Sequence, residues 1–445
     1  MRPPARARDP CGRGPEKERY VTVHGLLVGL IDLVLTLCFL GMAVIGGTFL
    51  VLVARFLYDE ARGKEDPSAG TPPLADADLP HVVLQIPVFN EPRVVEGALR
   101  AACAIDYPRD RFHVQLLDDS TDETTDRAAE IIAELRAAGN DVVHVRREDR
   151  SGFKAGACAA GLELSDAPFV AMLDVDFRPP SDWLRKAVPV IVADPKAGFV
   201  QARCEFANYE KNWLTRVQGL VLDAHFMIEQ RTRASLRWLF QFNGTGGIWR
   251  RAAIDSVGGW LDYSLTEDLD LTIRTALAGW HGRFISSVAI PGQMPEGMRD
   301  WRRQQRRWSN GFVQVAQRTV GPLWRAPWPL VERLSAIVLV MHQVFFPLCA
   351  TMIVCLILGA VVRGFSVAPY LPLLVICFVV VTAVVVGMTL PPYLVLRRGT
   401  IWRYLATMAM VPPLFIYLAV ANAPKIIQTA RGRQEQFKRT PKKEH

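Results

Sequence analysis

The chain has 445 residues, half of them hydrophobic, and a formal net charge of +8. Apolar residues concentrate towards both ends, which excludes an ordinary soluble protein and predicts membrane helices around a globular centre. The eight cysteines form no Cys-x-x-Cys pair, so the sequence indicates neither a disulfide framework nor a zinc site. Lys and Arg lie beside the apolar segments, which argues against nucleic acid as a partner and suits membrane lipid.

The first membrane segment follows a polar tail over residues 1–25. An apolar run predicts a transmembrane helix over residues 26–56, because it exceeds the ~20 residues that are needed to cross a bilayer. A signal peptide is the alternative, but its apolar core would be only ~7–15 residues long. Residues 57–80 are charged and contain prolines, which predicts a linker.

Residues 81–296 alternate between strand and helix patterns, which predicts an α/β domain with a mostly parallel sheet. The predicted strands cover residues 81–88, 112–117, 141–146, 169–173 and 198–203. Helices are predicted between the strands, and also over residues 181–193 and 211–235. The uninterrupted hydrophobic run at 169–173 is typical of a strand that is covered on both faces.

Polar side chains follow three of the predicted strands. They are Asn90 and Glu91, Asp118 and Asp119, and Asp174 and Asp176. Because parallel strands end at one edge of the sheet, where α/β proteins bind ligands, we expect these side chains to converge. Two carboxylates one residue apart can offer oxygens to Mg²⁺ or Mn²⁺ that is shared with the phosphates of a nucleotide. A lone Asp-x-Asp is more often a solvated loop, so the prediction depends on the convergence.

Two motifs follow later in the domain. A glycine-rich turn with polar side chains covers residues 240–247 and includes Asn243. Thr266-Glu267-Asp268 then precedes another predicted helix. An ordinary helix start explains this tripeptide equally well, since Thr266 can cap the helix and its dipole favours acidic residues.

Residues 297–332 are predicted to form amphipathic helices at the membrane surface. Gln304, Arg307 and Trp308 stand at i, i+3 and i+4, so they share one helix face. That face suits a ligand, and the neighbouring arginines suit anionic lipid headgroups.

The C-terminal part is again apolar. Residues 333–398 contain two segments that are long enough to span a membrane. Residues 399–424 have a shorter apolar extent and contain Pro412-Pro413, which predicts an interfacial or re-entrant helix. Residues 425–445 form a basic tail.

Five motifs stand in order along the chain. They are Asp119, Lys154, Asp174-Val-Asp176, Thr266-Glu-Asp268 and Gln304-x-x-Arg307-Trp308. In this order they resemble the membrane-embedded family-2 glycosyltransferases of the cellulose synthase superfamily. Residues 117–122, 200–203 and 242–245 resemble the cellulose-synthase-like (gluco)mannan and glucan synthases. Residues 437–442 resemble the Phe-x-Val-Thr-x-Lys gating loop of cellulose synthase, with Arg439 in place of the valine. The resemblance implies a GT-A-like catalytic domain with transmembrane and interfacial helices.

The sheet edge and the resemblance together assign roles to individual residues. Donor binding is predicted for Asn90, Glu91, Asp119, Lys154, Asp174, Gln304, Arg307 and Thr440, acceptor binding for Asn243, Glu267 and Trp308, and a Mg²⁺ or Mn²⁺ site for Asp174 and Asp176. The resemblance implies that Asp268 is the general base that deprotonates the acceptor hydroxyl. One base without a nucleophile fits a single displacement with inversion, so that an α-linked donor gives a β-linked product.

The predicted function is that of an inverting processive β-glycosyltransferase. It would polymerise hexose from UDP-glucose or GDP-mannose into a β-1,4-glucan, mannan or glucomannan and thread the chain outward through the inner (plasma) membrane. The expected partners are the donor, the growing polysaccharide, membrane lipid and accessory export subunits. One alternative is a non-processive enzyme that adds a single sugar to a lipid, and another is a catalytically inactive channel or scaffold.

The function also constrains the topology. Nucleotide sugars are cytosolic, so the catalytic domain faces the cytosol. If the tail at 437–442 closes the active site of that domain, an even number of membrane crossings must separate the tail from the catalytic domain. This predicts three transmembrane helices, at about 26–53, 336–362 and 368–396, with residues 399–424 at the interface. The N-terminus would then lie outside, in conflict with the six Lys and Arg among its first twenty residues.

Overall fold

The computed structural model describes residues 15–63, 70–366 and 368–432. The gating-loop-like motif at 437–442, and with it the donor-binding prediction for Thr440, lies outside the described residues.

A seven-stranded mixed sheet forms the centre of the globular part. Its strands are β1 (Val82–Val88), β2 (Phe112–Asp118), β3 (Val142–Arg146), β4 (Phe169–Met172), β5 (Ala197–Phe206), β6 (Gly247–Arg250) and β7 (His281–Gly292). Their spatial order is β3-β2-β1-β4-β6-β5-β7. β1, β2, β3 and β4 pair in parallel, as do β5 and β7, whereas β6 runs antiparallel to both of its neighbours. The predicted mostly parallel sheet is confirmed, with β6 and β7 added to the strands predicted from sequence.

The helices extend from one end of the described residues to the other. They are α1 (Pro15–Ala61), α2 (Val95–Cys103), α3 (Thr124–Ala137), α4 (Phe153–Glu163), α5 (Trp183–Ala193), α6 (Trp213–Ala224), α7 (Arg231–Ser235), α8 (Arg251–Asp255), α9 (Glu267–Leu277), α10 (Met298–Arg325), α11 (Leu330–Met341), α12 (Phe345–Val362), α13 (Leu371–Val395), α14 (Ile401–Met408) and α15 (Val411–Ala430). A π-helical segment, His225–Gln230, joins α6 to α7.

The main core lies around the sheet. Every residue of β4 is buried, and so are six of the seven residues of β1, as expected for central strands that helices cover on both faces. α4 packs against β1 and β2, while α5 packs against β5, β6 and β7. Each fully buried Val, Leu or Ile contributes roughly 1.5–3 kcal/mol, so this core holds the strand ends in fixed positions.

Four helical segments in the described part of the chain are long and apolar enough to cross a membrane. They are Val23–Ala61 in α1, Leu330–Val362 with α11 and α12, Ala368–Val395 with α13, and Ile401–Ala430 with α14 and α15. Side chains such as Ile357 and Phe378 are 59% and 72% exposed, as expected for residues that face lipid. The four helices indicate a multi-pass membrane protein.

Several helix bounds differ from the sequence prediction. α1 continues to Ala61, inside the predicted linker, because its charged end residues still suit a helix. α10 is a single helix as far as Arg325, and α15 runs to Ala430, six residues into the predicted basic tail. The segment 401–430, predicted to lie at the interface, meets the same length and composition criteria as the three predicted spans.

Candidate active site

The loops that follow β1, β2 and β4 meet at one end of the sheet. Their strands are neighbours in the order β2-β1-β4, so their carboxyl ends lie side by side. A cavity of about 1070 Å³ opens at this edge, and Glu91, Asp119, Asp174 and Asp176 line it. The predicted convergence of polar side chains therefore exists in three dimensions.

Most of the residues singled out from sequence line this one cavity. They are Glu91, Asp119, Lys154, Asp174, Asp176, Asn243, Glu267, Asp268, Gln304, Arg307 and Trp308. Asn90 is not among the lining residues. Its Oδ1 accepts the backbone N–H of Thr121 at 2.8 Å, and its own N–H donates to Ser120 Oγ at 2.9 Å. These bonds join the loops after β1 and β2, and a direct donor contact for Asn90 stays a prediction.

The adjacent residues Asp118 and Asp119 have different surroundings. Asp118 is buried and bonded to His144 and to the backbone of Ser120, and although burial opposes its charge, these hydrogen bonds lower its pKa to about 2. Asp119 lines the cavity, where Arg147 donates to both of its oxygens, at 3.0 and 2.6 Å. Asp118 therefore stabilises the sheet edge, and Asp119 is the member of the pair that a ligand can reach.

Lys154 lies among the acidic residues of the cavity. Its Nζ atom is 2.7 Å from Asp174 Oδ1 and 3.8 Å from Glu267 Oε1, and it donates to the carbonyl of Gly244 at 2.9 Å. Burial opposes the charge of this side chain, but the carboxylates of Asp174 and Glu267 outweigh it and hold the pKa of Lys154 above its usual range. The lysine therefore stays protonated in the cavity.

The glycine-rich turn lies between the two acidic motifs. Thr245 Oγ1 accepts the backbone N–H of Asp174 at 2.9 Å, which fixes the start of the Asp-Val-Asp loop. Gly244 adopts a positive φ of 72°, and a Cβ atom there would lie 2.9 Å from Asp268 Oδ2. Glycine is required at this position because the backbone approaches the carboxylate closely in a left-handed conformation.

Asp268 lies in the first turn of α9, directly after Glu267. Its Oδ1 accepts the backbone N–H of Leu269 at 2.8 Å. Burial and the neighbouring Glu267 carboxylate raise the pKa of Asp268 to about 7. An acid whose pKa is near neutrality is well matched to proton transfer at physiological pH. Thr266 is the N-cap residue, but its side chain makes no capping bond, so the helix-start explanation lacks its main interaction.

α10 brings the Gln-x-x-Arg-Trp motif to the same cavity. Gln314 on α10 accepts the backbone N–H of Leu265 at 2.9 Å, and Ser264 donates to the carbonyl of Gly311 at 3.3 Å. These bonds tie the middle of α10 to the loop that precedes α9 and Asp268. Gln304, Arg307 and Trp308 therefore line the cavity within a rigidly attached helix.

Asp174 and Asp176 are the residues that could hold a divalent cation. Both line the cavity just after β4, and Asp176 is only 6% exposed. The described residues contain no group of three or more His, Cys, Asp or Glu side chains that could hold an ion by themselves. The two carboxylates fit a cation whose remaining oxygens come from a bound diphosphate, which is the usual arrangement for Mg²⁺.

Three residues at the site were missed in the sequence analysis. Arg147 binds Asp119, Thr245 fixes Asp174, and Gln201 Oε1 accepts the backbone N–H of Asn243 at 2.9 Å. Thr245 and Gln201 fall within stretches that carried the resemblance, which could have indicated them. Arg147 had no signal beyond its place after β3.

The cavity does not end at the catalytic domain. Its lining continues along the membrane helices through Met42, Ile45 and Phe49 of α1, Val385, Met388 and Thr389 of α13, and Pro412 and Phe415 of α15. One continuous space therefore joins the acidic sheet edge to the membrane helices.

The fold and this site define a membrane glycosyltransferase. The family model "Glycosyl transferase family group 2" matches residues 169–390, and the chain belongs to this family.

Its curated relatives include plant enzymes with one specificity. "Glucomannan 4-beta-mannosyltransferase 2" of Arabidopsis thaliana is 38% identical over 279 residues, which cover 62% of this chain and 52% of the relative. "Glucomannan 4-beta-mannosyltransferase 1" of Cyamopsis tetragonoloba is 38% identical over 306 residues, which cover 66% of this chain and 58% of the relative. "Probable glucomannan 4-beta-mannosyltransferase 4" of Oryza sativa subsp. japonica is 39% identical over 257 residues, which cover 56% of this chain and 46% of the relative. The chain spans about half the length of these relatives.

A solved structure supports the fold independently. The mannosyltransferase PcManGT from Pyrobaculum calidifontis, in complex with GDP-Man and Mn²⁺, matches with a TM-score of 0.59 over 88% of this chain and 99% of that chain. At 19% sequence identity this similarity shows the GT-A-like fold alone.

Proposed function

We propose that the protein is an inverting hexosyltransferase that extends a β-1,4-linked hexan from a nucleotide sugar. The observation that carries this proposal is the position of Asp268. A carboxyl group with a pKa of about 7 shares one cavity with Asp174, Asp176 and Lys154. A base and a site that can bind a divalent cation with a diphosphate are the two elements that glycosyl transfer from a nucleotide sugar requires.

The reaction follows from the two sides of this arrangement. On the donor side, Lys154 and Arg307 offset the charge that develops on the departing diphosphate. On the acceptor side, Asp268 takes the proton of the attacking hydroxyl while that oxygen bonds to the anomeric carbon and the bond to the diphosphate breaks. Attack opposite to the leaving group inverts the anomeric centre, so an α-linked donor gives a β-linked product.

A divalent cation fits the pair Asp174 and Asp176. When bound, Mg²⁺ or Mn²⁺ would neutralise charge on the diphosphate of the leaving nucleotide. Asp174 also contacts Lys154 at 2.7 Å, so the lysine lies beside the residues that would hold the cation.

The donor proposal is GDP-mannose, with UDP-glucose as the second candidate. The names of the curated relatives favour mannose. Asp119 lines the cavity, and its carboxylate, which Arg147 holds in place, can accept an N–H group from the edge of a nucleobase. Either base offers an N–H group to such a carboxylate, so the choice rests on the relatives.

The continuous cavity supports processive synthesis with transport of the product. The lining passes from Asp268 to Phe49 and Met388 without leaving one space, so an elongating chain has a path towards the membrane helices. The second candidate is transfer of one sugar to a lipid. It is favoured by the apolar membrane end of the same cavity, where Ile45, Val384 and Val385 could contact an acyl chain.

The last helix supports the proposed topology of three crossings. Arg302 of α10 donates to the Tyr417 hydroxyl at 3.1 Å, and Gln317 of α10 donates to the carbonyl of Ala430 at 2.9 Å. α15 therefore runs along α10, which is bound to the catalytic domain, and it also packs against α12, where Phe415 stacks on Phe346. We propose that residues 401–430 lie at the membrane surface on the cytosolic side of the plasma membrane. A C-terminal reporter is expected to be active in the cytosol, and activity only on the opposite side would refute this topology.

Purified full-length protein tests the activity. It is incubated with radiolabelled GDP-mannose or UDP-glucose and Mg²⁺ or Mn²⁺, and the product is sized and subjected to linkage analysis. We expect a high-molecular-weight β-1,4-linked hexan, with the Asp268→Asn protein as background. A single-sugar lipid product would select the second candidate, and an α-linked product or no transfer from either donor would overturn the proposal.

A further inference from the structure

The π-helical segment His225–Gln230 forms part of the cavity wall. His225 and Glu229 both line the cavity, on the side of the glycine-rich turn. A π-helical turn carries one extra residue relative to an α-helical turn and often occurs at functional sites, because it redirects side chains at a cost in stability. The sequence pattern gave no sign of it, since residues 211–235 were predicted as an ordinary helix.

A chain of polar contacts starts inside this segment. His225 Nδ1 lies 3.0 Å from Glu229 Oε2, and Arg233 Nε donates to the other oxygen of Glu229 at 3.2 Å. Burial alone would raise the pKa of Glu229, but the bond from His225 and the charge of Arg233 lower it to about 2. Because the glutamate is ionised, His225 Nδ1 carries a proton and donates it, which fixes the plane of the ring.

The other ring nitrogen faces Asn243. His225 Nε2 accepts from Gln230 Nε2 at 3.0 Å and lies 3.1 Å from Asn243 Oδ1, and that oxygen accepts from Gln241 Nε2 at 3.0 Å and from the same Gln230 amide at 3.4 Å. The side-chain oxygen of Asn243 is thus held by two amide groups, and His225 in turn holds one of them. Its amide Nδ2 is buried and has no hydrogen-bond partner among the described residues.

Asn243 is also next to the proposed base. It precedes Gly244, whose added Cβ would lie 2.9 Å from Asp268 Oδ2. A buried amide N–H without a partner is unfavourable, and a ligand hydroxyl at the cavity wall would satisfy it. Because Asp268 is the proposed base for the acceptor, a sugar hydroxyl beside it is assigned to the acceptor.

We propose that His225 and Glu229 are positioning residues that orient Asn243, so that its amide N–H group binds a hydroxyl of the acceptor sugar beside Asp268. This inference rests on the proposed function, because it needs an acceptor sugar in the cavity. Arg233 has a different part. Its Nη1 donates to Ser335 Oγ at 2.7 Å, so it anchors the segment to α11.

A correctly placed acceptor excludes water from the anomeric carbon. A displaced acceptor lets water attack instead, which releases nucleoside diphosphate without adding hexose to the product. The informative readout is therefore the ratio of hexose incorporated to nucleoside diphosphate released. A merely structural defect lowers both quantities together and leaves the ratio unchanged.

The test uses the full chain with its donor and compares His225→Phe, His225→Gln and Glu229→Gln with the wild type. The matched control is His281→Phe, since His281 forms a similar pair with Asp194 at 2.8 Å and does not line the cavity. We expect His225→Phe to lower the ratio about tenfold, the effect of losing one hydrogen bond. His225→Gln, which can still accept a hydrogen bond from Gln230, should recover part of the loss, and the affinity for nucleoside diphosphate should stay within twofold.

The outcomes separate the two levels of the proposal. If the wild type transfers hexose and both His225 variants keep its ratio, the positioning role is wrong while the proposed function stands. If His281→Phe lowers the ratio as much as His225→Phe, the positioning role is also wrong. If His225→Phe does not fold, Glu229→Gln and His225→Gln decide by the same ratio. If the wild type transfers no hexose from either donor, the proposed function itself fails.

Discussion

Two clusters of charged side chains join distant parts of the chain, and they differ in how their charges balance. The site cluster consists of Lys154, Asp174, Glu267 and Asp268. The junction cluster, where the end of α13 meets the sheet and α6, consists of Arg203, Glu205, Asp223 and Arg398. Arg398 binds Asp223 at 2.9 Å and Glu205 at 3.2 Å, and Arg203 lies 3.7 Å from Glu205.

The balance determines what each cluster can do. In the junction cluster two guanidinium groups face two carboxylates, so each charge has an opposite charge beside it. Burial still raises the pKa of Asp223, but the charge and the hydrogen bond of Arg398 oppose this shift. In the site cluster three carboxylates share one ammonium group, and the excess negative charge adds to burial in raising the pKa of Asp268 to about 7. A balanced cluster stabilises the fold, whereas an unbalanced one maintains a proton acceptor that is poised near neutrality.

The largest expected effect is that of Asp268→Asn. Removing the base from the site cluster should lower kcat by roughly 10²–10⁴-fold, the usual contribution of general-base catalysis. The midpoint of thermal unfolding should not fall, because the substitution removes one of three carboxylates that share a single ammonium group. Steady-state kinetics and a thermal unfolding scan check both parts, and a variant with full activity would remove Asp268 from the mechanism.

The opposite pattern is expected for Asp223→Asn in the junction cluster. Breaking a buried ion pair from one side should lower the free energy of unfolding by roughly 3 kcal/mol, because Arg398 loses its closest partner. The transfer rate per folded molecule should stay within twofold of wild type. Thermal unfolding in detergent and an assay of the folded fraction measure the two effects. A loss of kcat without a loss of stability would contradict the structural role.

The site cluster was largely predictable from sequence, and the reason lies in its motifs. Asp174 and Asp176 follow a fully buried strand, and Asp268 follows Thr266-Glu267, so short patterns mark each residue. The sheet order then brings them together. The junction cluster had no such marks, because Arg398 and Asp223 are 175 positions apart and only the packing of α13 against α6 makes them neighbours.

Two strands and one helical segment also escaped the sequence analysis. β6 has only four residues and directly follows a glycine-rich turn, so the sequence around it indicated a turn and no strand was predicted. β7 pairs with β5 through register shifts, and the polar pair Ser286-Ser287 interrupts its apolar pattern. His225–Gln230 keeps a helical pattern of apolar residues, and this pattern does not distinguish a π-helix from an α-helix.

A smaller effect is expected from Glu267→Gln. The Glu267 carboxylate raises the pKa of Asp268, so its removal should lower that pKa and let the base stay ionised in more acidic solution. The acidic limb of the kcat/KM profile should move down by roughly one pH unit. The position of the limb is the readout, since its height also reflects any acceptor contact of Glu267. A limb that stays in place would show that burial alone raises the pKa.

The dependence of wild-type kcat/KM on pH tests the central claim most directly, since this quantity reports the ionisation of the free enzyme. Asp268 accepts a proton only as a carboxylate, so activity should be lost as pH falls through its pKa. We predict a tenfold decrease in kcat/KM for each pH unit below about 7, and a level profile above it, with saturating divalent cation at every pH. A profile that stays level down to pH about 5, near the ordinary range of an aspartate, would contradict the account.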